Sequence, residues 1–210
     1  MKEYLKQLLF AFEKEILRAN SCIHCYFDMK YKNDRNSEWE SVYEIAPAFF
    51  GLAIRGLQTE ALMTVSKLYE PEGRADYSLY KLLSYIQGNA KNIIGNDYAV
   101  LNDEVTKYKK SLDEKKVIAD KVLHIRDKII AHNDKDYFPP KIEGKASNVN
   151  LSYEEIVDLL KFAEELVNAF NYIVFRSTSV MTYNNGWLGK GHDVDQLMTF
   201  CLENLHKNAI

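Results

Sequence analysis

The chain has 210 residues, 47% of them hydrophobic, which is enough apolar material for a folded domain and argues against a disordered chain. Its formal net charge is −3, so it lacks the overall basic character of many nucleic-acid-binding proteins. Any contact with nucleic acid must therefore use a local basic patch.

The first predicted helix runs from about Glu3 to about Phe27. Its apolar residues recur at intervals of three and four, the spacing of one helix face. The predicted core residues of this face are Leu5, Leu8, Leu9, Phe12, Ile16, Ala19 and Ile23. A polar loop is predicted next, at residues 31–36.

A second long helix is predicted from Ser37 to about Tyr69. Ser37 and Glu40 have the spacing of a capping box, and Pro47 should either kink this helix or start a new one. Its predicted core residues are Val42, Ile45, Phe49, Leu52, Ala53, Leu57, Ala61, Val65 and Leu68. The aromatic residues interpreted as core or interface, rather than as base-stacking, are Trp39, Phe49 and Phe50.

A short third helix is predicted from Asp76 to Gln87, ended by Gly88, with a turn around Gly95 after it. The next predicted helix is long and runs from about residue 98 to about residue 131, with a break near residues 112–113. Its predicted core residues are Ile118, Val122, Ile125 and Ile129.

Two further helices are separated by long loops, predicted at residues 133–150 and 177–191. Ser152 and Glu155 form a second capping-box pattern, which opens a helix. Its predicted core residues are Ile156, Leu159, Leu160, Ala163, Leu166, Val167, Phe170 and Ile173. A final short helix is predicted from Asp193, which pairs with Gln196 as a cap, to about residue 205.

Segments with the two-residue period of a strand are absent from the sequence. We therefore predict an all-α fold, a bundle of long antiparallel helices that forms a single domain over residues 1–210. No apolar run is long enough to span a bilayer and no secretory signal is visible, so we expect a cytoplasmic protein without a membrane partner.

The three cysteines do not predict a metal site. Cys22 and Cys25 have the spacing of half a zinc site, but a second pair of ligands is missing and Cys201 lies far away. We interpret all three as free thiols, and we predict neither a metal nor a cofactor.

The most informative stretch is His124-Ile-Arg-Asp-Lys-Ile-Ile-Ala-His-Asn-Asp-Lys135, at the end of a predicted helix. Arg126 and His132 have five residues between them. An arginine can hold a phosphate by paired hydrogen bonds, and a histidine can transfer a proton near neutral pH. Together they can break an RNA phosphodiester without a metal.

Spacing alone does not select this pair, because Arg18 and His24 also have five residues between them. Three features favour Arg126 and His132: the position where a periodic helix meets a polar loop, the polar Asp127 directly after the arginine, and the surrounding residues. Arg18 and His24 are followed instead by more helix.

The run from Arg126 to Lys135 resembles the Arg-x(4–6)-His motif of the HEPN ribonucleases. The stretches Phe49-Phe-Gly-Leu-Ala-Ile-Arg-Gly-Leu57 and Ser78-Leu-Tyr-Lys-Leu-Leu83 are similar to the abortive-infection branch of that family. The resemblance covers about residues 1–175 and leaves 177–210 unplaced. It implies a helical, metal-independent endoribonuclease that dimerises, in a bacterial abortive-infection or toxin–antitoxin system, with RNA as substrate and an antitoxin protein as a further partner.

Under this resemblance, Arg126 and His132 are catalytic and Asp127 orients one of them. The residues that would contact RNA are Lys128, Asn133 and Lys135. Simpler interpretations stay open: His132 as a helix C-cap, Arg126 as a surface ion pair with Asp127 or Asp120, and the three RNA-contact residues as solvated side chains.

Two further alternatives follow from the residues. The lysine-rich segment 107–128 can be an ordinary solvated helix face, since acidic residues are interleaved with the lysines. Arg55 lies in an apolar run and is predicted to be a structural residue paired with Glu60 or another carboxylate. At the level of the whole chain, the rival to the ribonuclease is a non-catalytic HEPN-type module that binds RNA or a protein.

Overall fold

The computed structural model describes residues 1–32, 37–74, 76–130, 150–177 and 192–208. These ranges contain helices and no strand, which confirms the predicted all-α class. The α-helices are α1 (Lys2–Phe27), α2 (Ser37–Ile45), α3 (Pro47–Leu68), α4 (Leu79–Ile94), α5 (Tyr98–Glu114), α6 (Lys116–Ile125), α7 (Tyr153–Phe175) and α8 (His192–Asn208).

Two compact units divide the chain. As far as these ranges are described, the first consists of Met1–Ile16 and Leu62–Val180 and the second of Leu17–Ala61 and Met181–Ile210. Helices α1 and α3 each contribute to both units. The single domain over 1–210 stays a prediction.

The first unit is a helical bundle built around an α4–α5 hairpin. A short 3₁₀ turn at Gly95–Asp97 joins the two helices, and Gly95 adopts a φ of 65°, a conformation that glycine tolerates best. The prediction that Gly88 ends this helix was wrong, because α4 continues through Gly88 to Ile94. An isolated glycine costs a helix only about 1 kcal/mol, which the buried face of α4 offsets.

Helix α7 supplies the longest buried face of this unit. The predicted capping box is confirmed: the Ser152 hydroxyl accepts from the Glu155 backbone N–H, and the Glu155 carboxylate accepts from the Ser152 backbone N–H. The helix ends where Arg176 turns left-handed, with a φ of 55°. Its buried residues are Ile156, Leu159, Leu160, Phe162, Ala163, Leu166, Val167, Phe170, Asn171 and Val174.

The second unit has a core cluster of its own, in which α2, α3 and α8 meet. Its buried members are Met29, Trp39, Val42, Phe50, Val194 and Met198. Pro47 begins a new helix, as one of the two predicted alternatives had it. Helix α8 begins at His192, one residue before the predicted cap, and runs to Asn208 rather than to about 205.

Three predicted core residues of this region were misplaced. Ile45, Phe49 and Leu52 are exposed by 58%, 63% and 71%, although Trp39 and Phe50 are buried as predicted. The helix is apolar around more than one face, so the periodicity could not show which face packs inward. Arg55 is also exposed, and Glu60 pairs with Arg18 instead, so the predicted Arg55–Glu60 pair was wrong.

Candidate active site

Arg126 occupies the end of α6, where the helix widens into a π-helical turn at Arg126–Ile130. Such turns are rare and often occur at functional sites. Two ion pairs connect this part of the chain to α7: Lys115 Nζ, just before α6, lies 2.6 Å from Asp158 Oδ2, and Lys121 Nζ in α6 lies 2.5 Å from Glu155 Oε1. The arginine therefore follows a helix that is linked to α7 along its length.

The Arg126 guanidinium is hydrogen-bonded to two carboxylates. Its Nη1 and Nη2 atoms donate to the two oxygens of Glu70, at 2.5 and 3.2 Å, and its Nε donates to Asp127 Oδ1 at 2.7 Å. Nη2 also lies 2.7 Å from the same Asp127 oxygen. These contacts occupy four of the five guanidinium N–H groups and leave one on Nη1 without a partner among the described residues.

Glu70 is placed by the end of α3. The buried Tyr69 hydroxyl donates to the Leu159 backbone carbonyl at 2.6 Å, which ties the end of α3 to α7. Pro71 follows directly and cannot continue a helix. The carboxylate of Glu70 is thereby presented to a residue that lies 56 positions later in the chain.

Burial makes the Arg126–Glu70 contact more than an ordinary surface pair. Only 13% of the Arg126 side chain and 14% of the Glu70 side chain are exposed, against 40% for Asp127. Burial by itself lowers the pKa of Arg126, but the hydrogen bonds to Glu70 and Asp127 outweigh it, so the pKa lies above its usual range. Together with the high intrinsic pKa of arginine, this keeps Arg126 charged near neutral pH.

In its described part, the site does not have the net positive charge of an open anion-binding pocket. One guanidinium faces two carboxyl groups, which leaves a formal charge of −1 when both are ionised. A phosphate that approached Arg126 would use the remaining Nη1 N–H or displace one carboxylate. This arrangement holds the arginine in one orientation before any ligand arrives.

Of the residues predicted for the site, the structure brings Arg126 and Asp127 together. Lys128 is exposed on the same π-helical turn. His132, Asn133 and Lys135 lie outside the described residues, so their predicted roles stay predictions. Glu70 was missed, because the sequence carries no signal that links an acidic residue before Pro71 to an arginine so far along the chain.

The alternative pair has a different setting. Arg18 Nε lies 3.0 Å from Glu60 Oε1, and both side chains are about half exposed. Next to His24, burial raises the pKa of the Cys22 and Cys25 thiols, which disfavours the thiolate needed for nucleophilic attack or metal binding. Among the described residues, no group of three histidine, cysteine or acidic side chains is arranged to hold a metal ion.

A cavity of about 490 Å³ in the first unit contains none of the predicted site residues. It is lined by Leu8, Ala11, Phe12, Glu15, Thr64, Lys67, Leu68, Asp76 and Tyr77. The site at Arg126 is therefore not part of this cavity. None of the described helices is both long enough and apolar enough to cross a membrane.

Comparison with known proteins identifies a family. The model of the HEPN_AbiU2 family, described as AbiU2, matches residues 2–186, which includes Glu70, Arg126, Asp127 and His132. Searches of the curated proteins and of the solved structures each found no match.

Proposed function

The chain belongs to the HEPN_AbiU2 family and is therefore a HEPN module of the abortive-infection type, and we propose that it is a metal-independent endoribonuclease of a bacterial abortive-infection or toxin–antitoxin defence system. The observation that carries this proposal is the geometry of Arg126. A charged arginine at the end of a helix is oriented by two carboxylates, next to the chain segment that leads to His132.

In the proposed reaction, His132 takes the proton from a ribose 2′-hydroxyl, and the 2′-oxygen attacks the adjacent phosphorus. The bond to the 5′-oxygen then breaks, and this oxygen receives a proton from the partner subunit's His132 or from water. The products are a 2′,3′-cyclic phosphate and a 5′-hydroxyl end. DNA resists, because it has no 2′-hydroxyl.

Arg126 stabilises the pentacoordinate dianion through its charge and through the N–H that Glu70 and Asp127 leave unoccupied. Glu70 acts as a positioning residue: its bidentate contact fixes the plane of the guanidinium and removes the entropy cost of ordering a long side chain. Asp127 orients the arginine from the Nε side.

We propose that two copies associate, because the single motif supplies one general base and the departing oxygen needs an acid. Lys128, Asn133 and Lys135 are the proposed RNA contacts, and the cytoplasm is the proposed setting. A cognate antitoxin protein is the proposed further partner.

A second function is favoured by one specific observation. Because two carboxylates face Arg126, its charge is offset before RNA arrives. This suits a non-catalytic HEPN-type module, in which Arg126 is structural and the protein binds RNA or another protein. The two functions differ in a single property, since only the enzyme cleaves RNA.

The test is an incubation of the purified full-length protein with mixed cellular RNA in excess chelator. His132→Ala is compared with the wild type and with His24→Ala, the histidine of the alternative Arg-x5-His pair. We expect His132→Ala to lower cleavage by about a thousandfold, the usual contribution of a general base, and His24→Ala to leave it unchanged.

Three outcomes contradict the proposal. Failure of the wild type to cleave favours the binding module. Equal cleavage by all three proteins indicates a contaminating nuclease or another site. Products with 5′-phosphate ends exclude attack by the 2′-hydroxyl, since that reaction leaves the phosphate on the 3′ side.

A further inference from the structure

The cavity of about 490 Å³ in the first unit lies between one face of α1, one face of α3 and the two residues just before Ser78 and α4. We call it the α1–α3 cavity. Its α1 lining residues recur at intervals of three and four, the spacing of a single helix face: Leu8, Ala11, Phe12 and Glu15. The volume is within the range of about 300–1,000 Å³ that is usual for small-molecule sites.

The interior of the α1–α3 cavity is mainly apolar and its opening is charged. The buried lining residues are Leu8, Phe12, Thr64 and Leu68. The charged lining residues are all at least partly exposed: Glu15, Lys67 and Asp76. An apolar interior with a few polar groups at one side is typical of a site for a small molecule that has an apolar body and a polar end.

The charges at the opening indicate the polar end of this molecule. Glu15 already interacts within the protein. The Lys67 ammonium and the Asp76 carboxylate, in contrast, form no hydrogen bond or ion pair within the described ranges, either with each other or with other side chains. Two opposite charges therefore line one cavity without neutralising each other. A ligand that pairs with both must itself carry one negative and one positive group.

We propose that the α1–α3 cavity binds a free α-amino acid with a large apolar side chain. Lys67 pairs with the carboxylate of the ligand and Asp76 with its ammonium group. The ligand's side chain lies in the apolar interior, against Phe12 and Leu68. An α-amino acid suits the cavity because it carries both charges on one carbon atom, directly beside its apolar group. Tyr77, which is 64% exposed, packs over the ligand from the opening.

Ligands with a single charge satisfy the opening less well. An apolar amine leaves Lys67 without a partner, and an apolar carboxylate leaves Asp76 without one. Each unpaired charge near an apolar ligand lowers affinity, because it loses water without gaining a hydrogen bond. The inference does not use the proposed ribonuclease activity. Its test measures binding and not cleavage, so the two proposals fail separately.

The first experiment is calorimetric titration of the full-length protein with three ligands that have the same phenyl group. They are L-phenylalanine, phenethylamine, which lacks the carboxylate, and 3-phenylpropanoate, which lacks the ammonium group. We expect L-phenylalanine to bind saturably below about 10 mM and each of the other two ligands to bind at least about tenfold more weakly.

The second experiment assigns each charge to its residue. Lys67→Met should raise the dissociation constant of L-phenylalanine about tenfold without weakening phenethylamine, which has no carboxylate to lose a partner. Asp76→Asn should raise it similarly without weakening 3-phenylpropanoate. The matched controls are Lys116→Met and Asp103→Asn, since both residues are exposed and lie outside the cavity. Both should bind all three ligands as the wild type does.

A third variant occupies the cavity without removing a charge. Ala11 is an exposed lining residue, so Ala11→Trp should fill part of the space and abolish binding of L-phenylalanine. Ala99→Trp, at an exposed alanine of α5, is the matched control and should bind normally. Helical circular dichroism checks that each variant is folded.

Four results overturn the proposal. The first is a wild type that shows no saturable binding of L-phenylalanine up to about 10 mM. The second is equal affinity for all three ligands, which would mean that the cavity recognises only the phenyl group. The third is a Lys67→Met or Asp76→Asn variant that binds L-phenylalanine as the wild type does. The fourth is undiminished binding by Ala11→Trp, which would place the ligand elsewhere.

Discussion

Two arginine–glutamate pairs in this protein have the same chemistry and different settings. Arg126 and Glu70 make a bidentate contact with about seven-eighths of each side chain buried, whereas Arg18 and Glu60 meet with both side chains about half exposed. Each arginine begins an Arg-x5-His sequence. Sequence spacing therefore treats the pairs as equal, and burial separates them.

This difference in burial indicates which of the two Arg-x5-His sequences has the setting of a functional site. Exposed ion pairs contribute little, because water and salt screen them and two flexible side chains must be ordered. A pair that is removed from water has a strong interaction between its members and a fixed geometry. The contrast predicts that changes at Arg126 or Glu70 have large effects and that the same changes at Arg18 or Glu60 have small ones.

Among changes to these two pairs, the largest effect is expected for Arg126→Lys. Lysine keeps the charge but loses the planar fork, so we expect chelator-resistant RNA cleavage to fall about a hundredfold. Arg18→Lys, measured in the same assay, should change cleavage by less than about twofold. Equal losses in the two variants would remove the distinction between the pairs.

Glu70→Gln is expected to have the next largest effect. It leaves a mostly buried guanidinium with one charged partner fewer, so the free energy of unfolding should fall by about 2 kcal/mol in urea titrations. Cleavage should also fall, since the arginine is less well oriented. A variant that cleaves faster than the wild type would show instead that Glu70 competes with the substrate.

The Lys121–Glu155 pair lies between the two extremes, with side chains 32% and 25% exposed. The hydrogen bond from Lys121, together with that from the Ser152 backbone, lowers the pKa of Glu155. A carboxyl group with a lowered folded-state pKa stabilises the protein above its unfolded-state pKa, about 4.3, and loses this contribution as the pH falls through the folded-state value.

Glu155→Gln should accordingly cost about 1 kcal/mol at pH 7, and the difference from the wild type should shrink as the pH is lowered below about 4.3. Unfolding in urea at several pH values measures this difference. A difference that stays constant with pH would show that Glu155 contributes as a helix cap and not through its charge.

Glu60→Gln should have the smallest effect, below about 0.5 kcal/mol at pH 7. The measurement is the same urea titration, with 0.5 M salt as a second condition that screens the exposed pair further. A loss of unfolding free energy as large as that of Glu70→Gln would contradict the predicted difference between the buried and the exposed pair.

Much of the fold was predictable, because periodicity and caps are local. The first helix and the Ser152–Glu155 capping box could be predicted from residues close together in sequence, and Pro47 indicated a break without deciding between a kink and a new helix. The errors came where a local signal was outweighed or ambiguous. Gly88 looked like a helix end, and Phe49 looked like a core residue on a helix that is apolar on two faces.

The candidate site was predictable only in part. Arg126 and Asp127 are adjacent, so the motif indicated both of them. Glu70 comes from a different helix end, and its contact depends on Tyr69 reaching the Leu159 carbonyl and on Pro71 ending the helix. A single sequence contains the residues for this contact but not the folding that brings them together.

The separation of Glu70 and Arg126 along the chain also determines how long after Glu70 the ribosome adds Arg126. Ribosomes add about 5 to 20 residues per second, so a separation of 56 residues means that Glu70 precedes Arg126 by roughly 3 to 11 s. During this interval the segment around Tyr69 also lacks α7, whose backbone it anchors to. The arginine is therefore held in position only after most of the protein has been made, and a nascent chain does not carry the assembled site.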